Sequence, residues 1–553
     1  MSVMKINMLS KSADSHEYCY ETGLLVVVFL LSTAFSFLIT KVSLASLAQY
    51  SPIIALILTI GAGFFIRASI LSISSALVLI IGSIFLQKSA LDIYYDGITY
   101  HQDAMLNLIK GEFSLINNYI PGKYSHLTSY YPKLSWFYGA GITELTGDIV
   151  YSKSLNTLII AATFLIGLSV IPFSLVARMI FSIALALNPI AVSQVYSNYV
   201  DGALGGFLII SIFGLYKLIS SDFNKGLPLV LVGIAGASTL KFTGFVFSGV
   251  IFLSFIIWCL FQVFLEKNTA SLVYSYKNMA GRTLGLCLMV SLFALILVVN
   301  PYLNNIIDGR HIFHPALGAE KIDDLISGQT RIEFYSLDRW TRLVLSVFSE
   351  SSDHGPWAPT ALPPAKIPFA IYPGEIDAFK AIDVRAAGWG PLFSGVLLIG
   401  MVFALGGKGK RDLCWVTLTL LAISIVNPES WWARFNPQLH TFALFLLILM
   451  FDNGRRIISS ALAMLLILNS MLIYNSMSRY ADGVKDQVIG SIIELSKRSP
   501  TGVLVWDMKK FHLESFFSRA GIEWTSSEES NKSDLVCSAV YEEFICYHSA
   551  GKI

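Results

Sequence analysis

Gly23-Leu-Leu-Val-Val-Val-Phe-Leu-Leu-Ser-Thr-Ala-Phe-Ser-Phe-Leu-Ile-Thr40 carries no charge over eighteen residues. A helix crossing about 30 Å of hydrocarbon needs roughly 20 mostly apolar residues, so this stretch reads as a membrane span. Twelve further windows of the same kind follow: 52–66, 69–87, 154–171, 179–195, 203–219, 226–240, 243–265, 284–300, 390–406, 413–427, 436–451 and 457–474. The pairs 52–66 with 69–87, and 226–240 with 243–265, are nearly continuous, so each is a tight helical hairpin or one broken helix. The expectation is an all-α polytopic membrane protein of about 11–14 spans. Composition agrees: charged residues are 14% of the 553, against roughly 25% in soluble chains, and the mean hydropathy is +0.64.

Short cytoplasmic loops are enriched in Lys and Arg, which orients the chain. With the N-terminus inside, the inner loops receive Arg67, Arg178, Lys217 with Lys225, Lys267 with Lys277 and Arg282, Lys408 with Lys410 and Arg411, and Arg455-Arg456. Residues 1–21 are too polar, and too far from an Ala-x-Ala-like site, for a cleaved signal peptide, so the first span is expected to remain as an anchor. The 39 basic and 37 acidic residues nearly cancel without a run of like charge, which gives no support to a nucleic-acid partner.

This topology divides the chain into a transmembrane domain, 1–474, and a small extracytoplasmic α/β domain, 475–553. Its long polar outer loops are 88–153 and 301–389. The tail is expected to hold an amphipathic stretch at 484–497, a strand at 503–506, and paired strands at 535–540 and 543–547. A turn at Tyr541-Glu542 would set Cys537 opposite Cys546, as a disulfide or as two unpaired thiols.

Charges at the edge of an apolar bundle are costly. Asp92-Ile-Tyr-Tyr-Asp96-Gly-Ile-Thr-Tyr-His101-Gln-Asp103 follows the third window directly. It offers a general base and hydrogen-bonding groups to a polar substrate, or simply an interfacial helix start. Lys133, after Tyr130-Tyr131-Pro132, is a cation near the membrane surface that suits a phosphate. Asp201 lies at the outer mouth of two spans. Lys241 stands alone between two apolar windows, where it either snorkels or binds an anion, and Gly236 and Gly244 favour a broken helix lining a cavity. Arg434 suits bidentate phosphate recognition, or pairs with Glu429. The topology gathers Asp96, His101, Lys133, Asp201, Lys241 and Arg434 at one outer face, as a site for a phosphorylated polar substrate. No Walker motif, strand-bound GxGxxG or HExxH accompanies them, so no nucleotide cofactor is expected.

Three stretches resemble the GT-C superfamily of integral membrane glycosyltransferases: Asp96 to Asp103 with Tyr131-Pro132, Val384-Arg-Ala-Ala-Gly-Trp-Gly-Pro-Leu-Phe393, and Trp431-Trp-Ala-Arg434-Phe. Asn300-Pro301 with Gly309-Arg-His-Ile-Phe-His-Pro315 is similar to a loop of bacterial members. The resemblance implies a polyprenyl-phosphate-linked sugar donor, a glycan, lipid or protein acceptor, and a multi-pass place in a bacterial inner membrane with the site outside. It implies inverting transfer with Asp96 as base, Asp92 being the rival, and with His101, Lys133, Asp201, Lys241 and Arg434 as substrate-binding groups. Arg434 and Lys241 would stabilise the leaving phosphate, and Asp201 would orient acceptor hydroxyls or hold a divalent metal with Asp96. The adjacent acidic pair of the family is absent, because Gly97 follows Asp96, so the metal is left open.

Other classes compete. Many spans also fit a secondary transporter. The arginines of the second outer loop, Arg310, Arg331, Arg339, Arg342 and Arg385, fit a polysaccharide polymerase or ligase using a lipid-linked oligosaccharide. A non-enzymatic scaffold is the third alternative.

Overall fold

A computed structural model describes residues 2–89, 91–111, 120, 125–264, 281–322, 327–404, 410–498 and four strands between 504 and 548. The chain is a bundle of apolar helices. In order they are α1 (Ser2–Ser43), α2 (Ser51–Ile66), α3 (Ile70–Leu86), α4 (Gln102–Ile109), α5 (Leu134–Thr146), α6 (Ser154–Val170), α7 (Leu175–Ala186) and α8 (Asp201–Ile219). After these come α9 (Phe223–Leu240), α10 (Phe242–Phe264), α11 (Gly281–Val298), α12 (Arg339–Val347), α13 (Phe393–Ala404), α14 (Arg411–Val426), α15 (Gln438–Asp452) and α16 (Arg456–Arg498).

Among the described residues, eight helical segments are long and apolar enough to cross a membrane, and α3, α7, α13 and α15 are shorter apolar helices. Burial sorts them. Leu24 to Leu31 of α1 are each at most 1% exposed, whereas α10 leaves Phe252, Leu253 and Phe264 more than half exposed. A helix apolar on every side is either enclosed by others or faces lipid, and here both kinds occur. α1, α8 and α15 form the centre, while α2, α10 and α11 form the outer wall.

Both near-continuous pairs are breaks between separate helices. Arg67, at φ 60°, closes α2 in the left-handed region before Ser69 caps α3 by accepting from Ser72 N at 3.0 Å. Lys241 is fully extended between α9 and α10. The window at 179–195 is not one helix: it divides between α7 and a short helix at Pro189–Ser193. Pro189 lacks the N–H that would continue α7, and Asn188 restarts the chain by accepting from Ile190 N at 3.0 Å.

Residues 475–498, expected to open a separate tail, continue α16 instead. No proline interrupts the helix there, and Met477, Ala481, Val484 and Val488, spaced as one helical stripe, are buried. They pack on Leu91, Ile93, Tyr94, Ile98, Tyr199 and Ile382, so the polar end of α16 buttresses the segment that carries Asp96. Beyond it, β1 (Leu504–Trp506), β2 (Trp524–Ser526), β3 (Leu535–Val540) and β4 (Glu543–His548) form one sheet in the order β2-β1-β4-β3. The register of β3 on β4 sets Cys537 opposite Cys546, and the state of their sulfurs lies outside the described residues.

Candidate functional site

After α3 the chain turns inward, and Gly97–His101 forms a widened π-type turn leading into α4. That turn brings the Tyr100 hydroxyl to Asp96 Oδ2 at 3.3 Å. Gly97 is required by a close approach: a Cβ there would collide with the Asp92 carboxylate. The glycine that follows Asp96 is therefore fixed by packing.

Asp92 itself is 1% exposed and accepts from Tyr94 N at 3.2 Å, from Asn198 N at 2.7 Å and from Asn198 Nδ2 at 3.1 Å. Burial pushes its carboxyl up to about 6 against the pull of Lys153. These bonds tie the segment after α3 to the entry of α8, and Asp92 is not among the residues lining the cavity.

The centre of the site is Arg434, in the turn between α14 and α15. Its Nε donates to Asp201 Oδ2 at 2.8 Å, its Nη1 to Asp383 Oδ1 at 2.7 Å, and its Nη2 to Asp96 Oδ2. Lys241 donates to Asp201 Oδ1 and lies 4.4 Å from the centroid of the Phe435 ring. Tyr199 closes the ring from beneath: its hydroxyl accepts from Asp96 N at 3.1 Å and donates to Asp383 Oδ2 at 3.4 Å, and its face lies 4.5 Å from the guanidinium of Arg434. Burial works against the charge of Arg434, but Asp96, Asp383 and Asp201 more than offset it and hold the guanidinium firmly protonated. Three carboxylates against two cations leave the cluster with one net negative charge.

A cavity of about 1010 Å³ opens over this ring. Asp96, Lys241 and Arg434 line it, with Tyr95, Tyr100 and Tyr131 on one side and Trp432 and Phe435 on the other. The Asp96 side chain lines the cavity and is 17% exposed; both of its side-chain hydrogen bonds fall on Oδ2, which leaves Oδ1 without a bond among the described residues.

The other expected site residues do not line the cavity. Asp201 belongs to the ring but is fully buried, and Gln194, Arg434 and Lys241 occupy its two oxygens. A divalent ion shared by Asp201 and Asp96 does not fit that arrangement, and the described residues contain no group of three His, Cys, Asp or Glu placed for a metal. His101 is wholly buried behind Tyr100, with Nδ1 accepting from Trp136 Nε1 at 2.7 Å and Nε2 unpartnered among the described residues. Burial first, then Arg434, push the imidazole down to about 3, so it is neutral at working pH. Lys133 is also off the cavity: its ammonium donates to Ser129 O at 2.9 Å, Tyr131 O at 3.0 Å and Asn300 Oδ1, which anchors the loop before α5. Glu429, offered as a partner for Arg434, instead pairs with Arg342 at 3.0 Å.

Asp383 is the ring member that the sequence did not single out. It stands one residue before the Val384 to Phe393 stretch, inside a polar loop where a charge costs nothing noticeable. That loop is fixed to α16 by Asn469, which accepts from Leu392 N at 3.0 Å and donates to Trp389 O at 2.8 Å. Compared with known proteins, the chain matches no family model and no curated protein sequence.

Proposed function

We propose that the chain is a membrane glycosyltransferase that moves a sugar from a polyprenyl-phosphate donor to an acceptor hydroxyl at the extracytoplasmic face. The observation that carries this is Asp96: it lines a large cavity at the end of an apolar bundle, one carboxylate oxygen is clamped by Arg434 and Tyr100, and the other has no bond among the described residues. A clamped carboxylate with one free oxygen is placed as a general base. The acceptor oxygen attacks the anomeric carbon, its proton passes to Asp96 Oδ1, and the electrons of the breaking carbon–oxygen bond leave with the polyprenyl phosphate. Attack opposite the leaving group inverts the anomeric centre.

Arg434 already satisfies three carboxylates, so the donor phosphate falls to Lys241, whose ammonium has one hydrogen-bond partner among the described residues and reaches the cavity. Arg434 acts by holding Asp96, Asp201 and Asp383 in place, a fixed electrostatic frame. Counted with the four shorter apolar helices and α14, the eight long ones give thirteen crossings, so with the N-terminus inside the strands after α16 belong to an extracytoplasmic appendage.

The five arginines of the second outer loop support this reading over a ligase that grips a lipid diphosphate. Each is engaged by its own chain: Arg310 with Glu320, Arg331 with Glu333, Arg339 with Ile425 O, Arg342 with Glu429 and Arg385 with Asp353. The test is product analysis. Purified chain in vesicles, given a panel of polyprenyl-phosphate sugars, should release polyprenyl phosphate and a glycosylated acceptor. Solute flux with every donor intact would replace the proposal with a transporter, and transfer of whole oligosaccharide blocks would replace it with a polymerase.

A further inference from the structure

The cavity has a second polar cluster that the transfer step leaves unused. Arg385 lies between two indoles, its guanidinium carbon 5.3 Å from the ring centroid of Trp357 and 5.2 Å from that of Trp432. Its Nη1 pairs with Asp353, its Nη2 donates to Gln329 Oε1 at 3.1 Å, and its buried Nε–H has no partner among the described residues. Trp357 is 69% exposed, yet its ring is steadied from behind: a Cβ on Gly355 would come within 2.6 Å of its Cζ2. Arg385, Asp353, Gln329 and Trp357 line the same cavity as Asp96.

Charge cancels at this end, unlike at the ring around Arg434. Arg385 offsets Asp353, and Arg342 offsets Glu429 on the adjoining wall. What the cluster offers is an exposed aromatic face beside donors and acceptors in mixture: a guanidinium N–H, a primary amide and a carboxylate. Hydroxyl groups answer both kinds at once, donating to the carboxylate while accepting from the guanidinium, and the C–H face of a sugar ring buries apolar surface on an indole.

We propose that Trp357, Arg385, Asp353 and Gln329 form a subsite for a neutral saccharide, the acceptor glycan of the transfer. This rests on the transferase reading and narrows its acceptor from glycan, lipid or protein to glycan.

The test is binding without donor. The full chain, purified in detergent and fluorescently labelled, is applied to an array of immobilised neutral and acidic oligosaccharides. Retention on a subset of neutral glycans is expected, weakened about tenfold by Trp357→Ala and largely restored by Trp357→Phe, which keeps an aromatic face. Gln329→Leu should weaken the same glycans and no others. Because Trp357 is mostly exposed, Trp357→Ala should unfold at the wild-type temperature, which separates lost binding from lost fold. Retention no better than empty micelles, retention of acidic glycans alone, or retention indifferent to Trp357→Ala each overturns the subsite. Donor turnover is measured separately, so failure of the array leaves the transferase reading standing, and failure of turnover leaves the array result interpretable.

Discussion

Arg434 and Arg385 face one cavity as buried guanidiniums, and their surroundings differ in kind. Arg434 holds three aspartates and leaves a net negative charge, whereas Arg385 holds one aspartate and an amide between two tryptophan faces. Residue type alone does not set an arginine's role; the number and burial of its carboxylate partners do. Concentrated charge suits the proton and the phosphate, and cancelled charge suits a ligand recognised by shape and hydroxyls.

The largest expected effect breaks the first half of that comparison. Arg434→Met strands Asp96 and Asp383 at the bundle end and leaves the fully buried Asp201 to Lys241 and Gln194 alone, and should cost about 3–5 kcal/mol, read as a steep fall in thermal midpoint and in folded yield from detergent. A midpoint within a degree of wild type would mean that the ring is solvated and that the charges are independent.

The next effect, about 2 kcal/mol, concerns the wall behind the ring. His101 is held near 3 in the folded chain, against about 6.5 when unfolded. As pH falls below 6.5 the unfolded chain takes up the proton first, so stability drops across the window from 6.5 down to 3, by about 2 kcal/mol between pH 7 and pH 5. Asp92 acts in the opposite sense: its folded value near 6 lies above the unfolded one, so acid relieves its burial. Comparing His101→Phe with wild type cancels the Asp92 contribution, and chemical denaturation at the two pH values should show the variant gaining on wild type by about that amount at pH 5. Parallel stabilities at both pH values would show a hydrated imidazole.

The smallest effect belongs to the other arginine. Arg385→Met strands only Asp353, whose side chain is 31% exposed and can be hydrated, so the loss should be about 1 kcal/mol by the same thermal assay. A loss equal to that of Arg434→Met would erase the distinction between the two ends of the cavity.

The bundle was readable because hydrocarbon imposes length and apolarity on each span, and twelve of the thirteen windows map onto single helices. The exception, 179–195, fails at Pro189, where apolarity continues but the backbone hydrogen bonding does not. Asp96, Asp201, Lys241 and Arg434 were readable because a charge at the end of an apolar window is costly and invites a reason. The same rule named Lys133 and His101, and here it could not see that Asn300, two carbonyls and Trp136 already satisfy most of their polar atoms. It also could not separate Asp92 from Asp96, four residues apart, because the choice is made by Asn198 and Arg434 from distant segments. Asp383 escaped for the converse reason: in a polar loop its charge looks ordinary until Arg434 meets it.

The most direct test of the central claim is a single-turnover comparison of wild type and Asp96→Asn in vesicles, with one polyprenyl-phosphate sugar bound to both. Asparagine preserves the shape of the side chain and removes the base, so donor binding should persist while release of polyprenyl phosphate falls by about 10²–10⁴-fold. Release at the wild-type rate from Asp96→Asn would contradict the account.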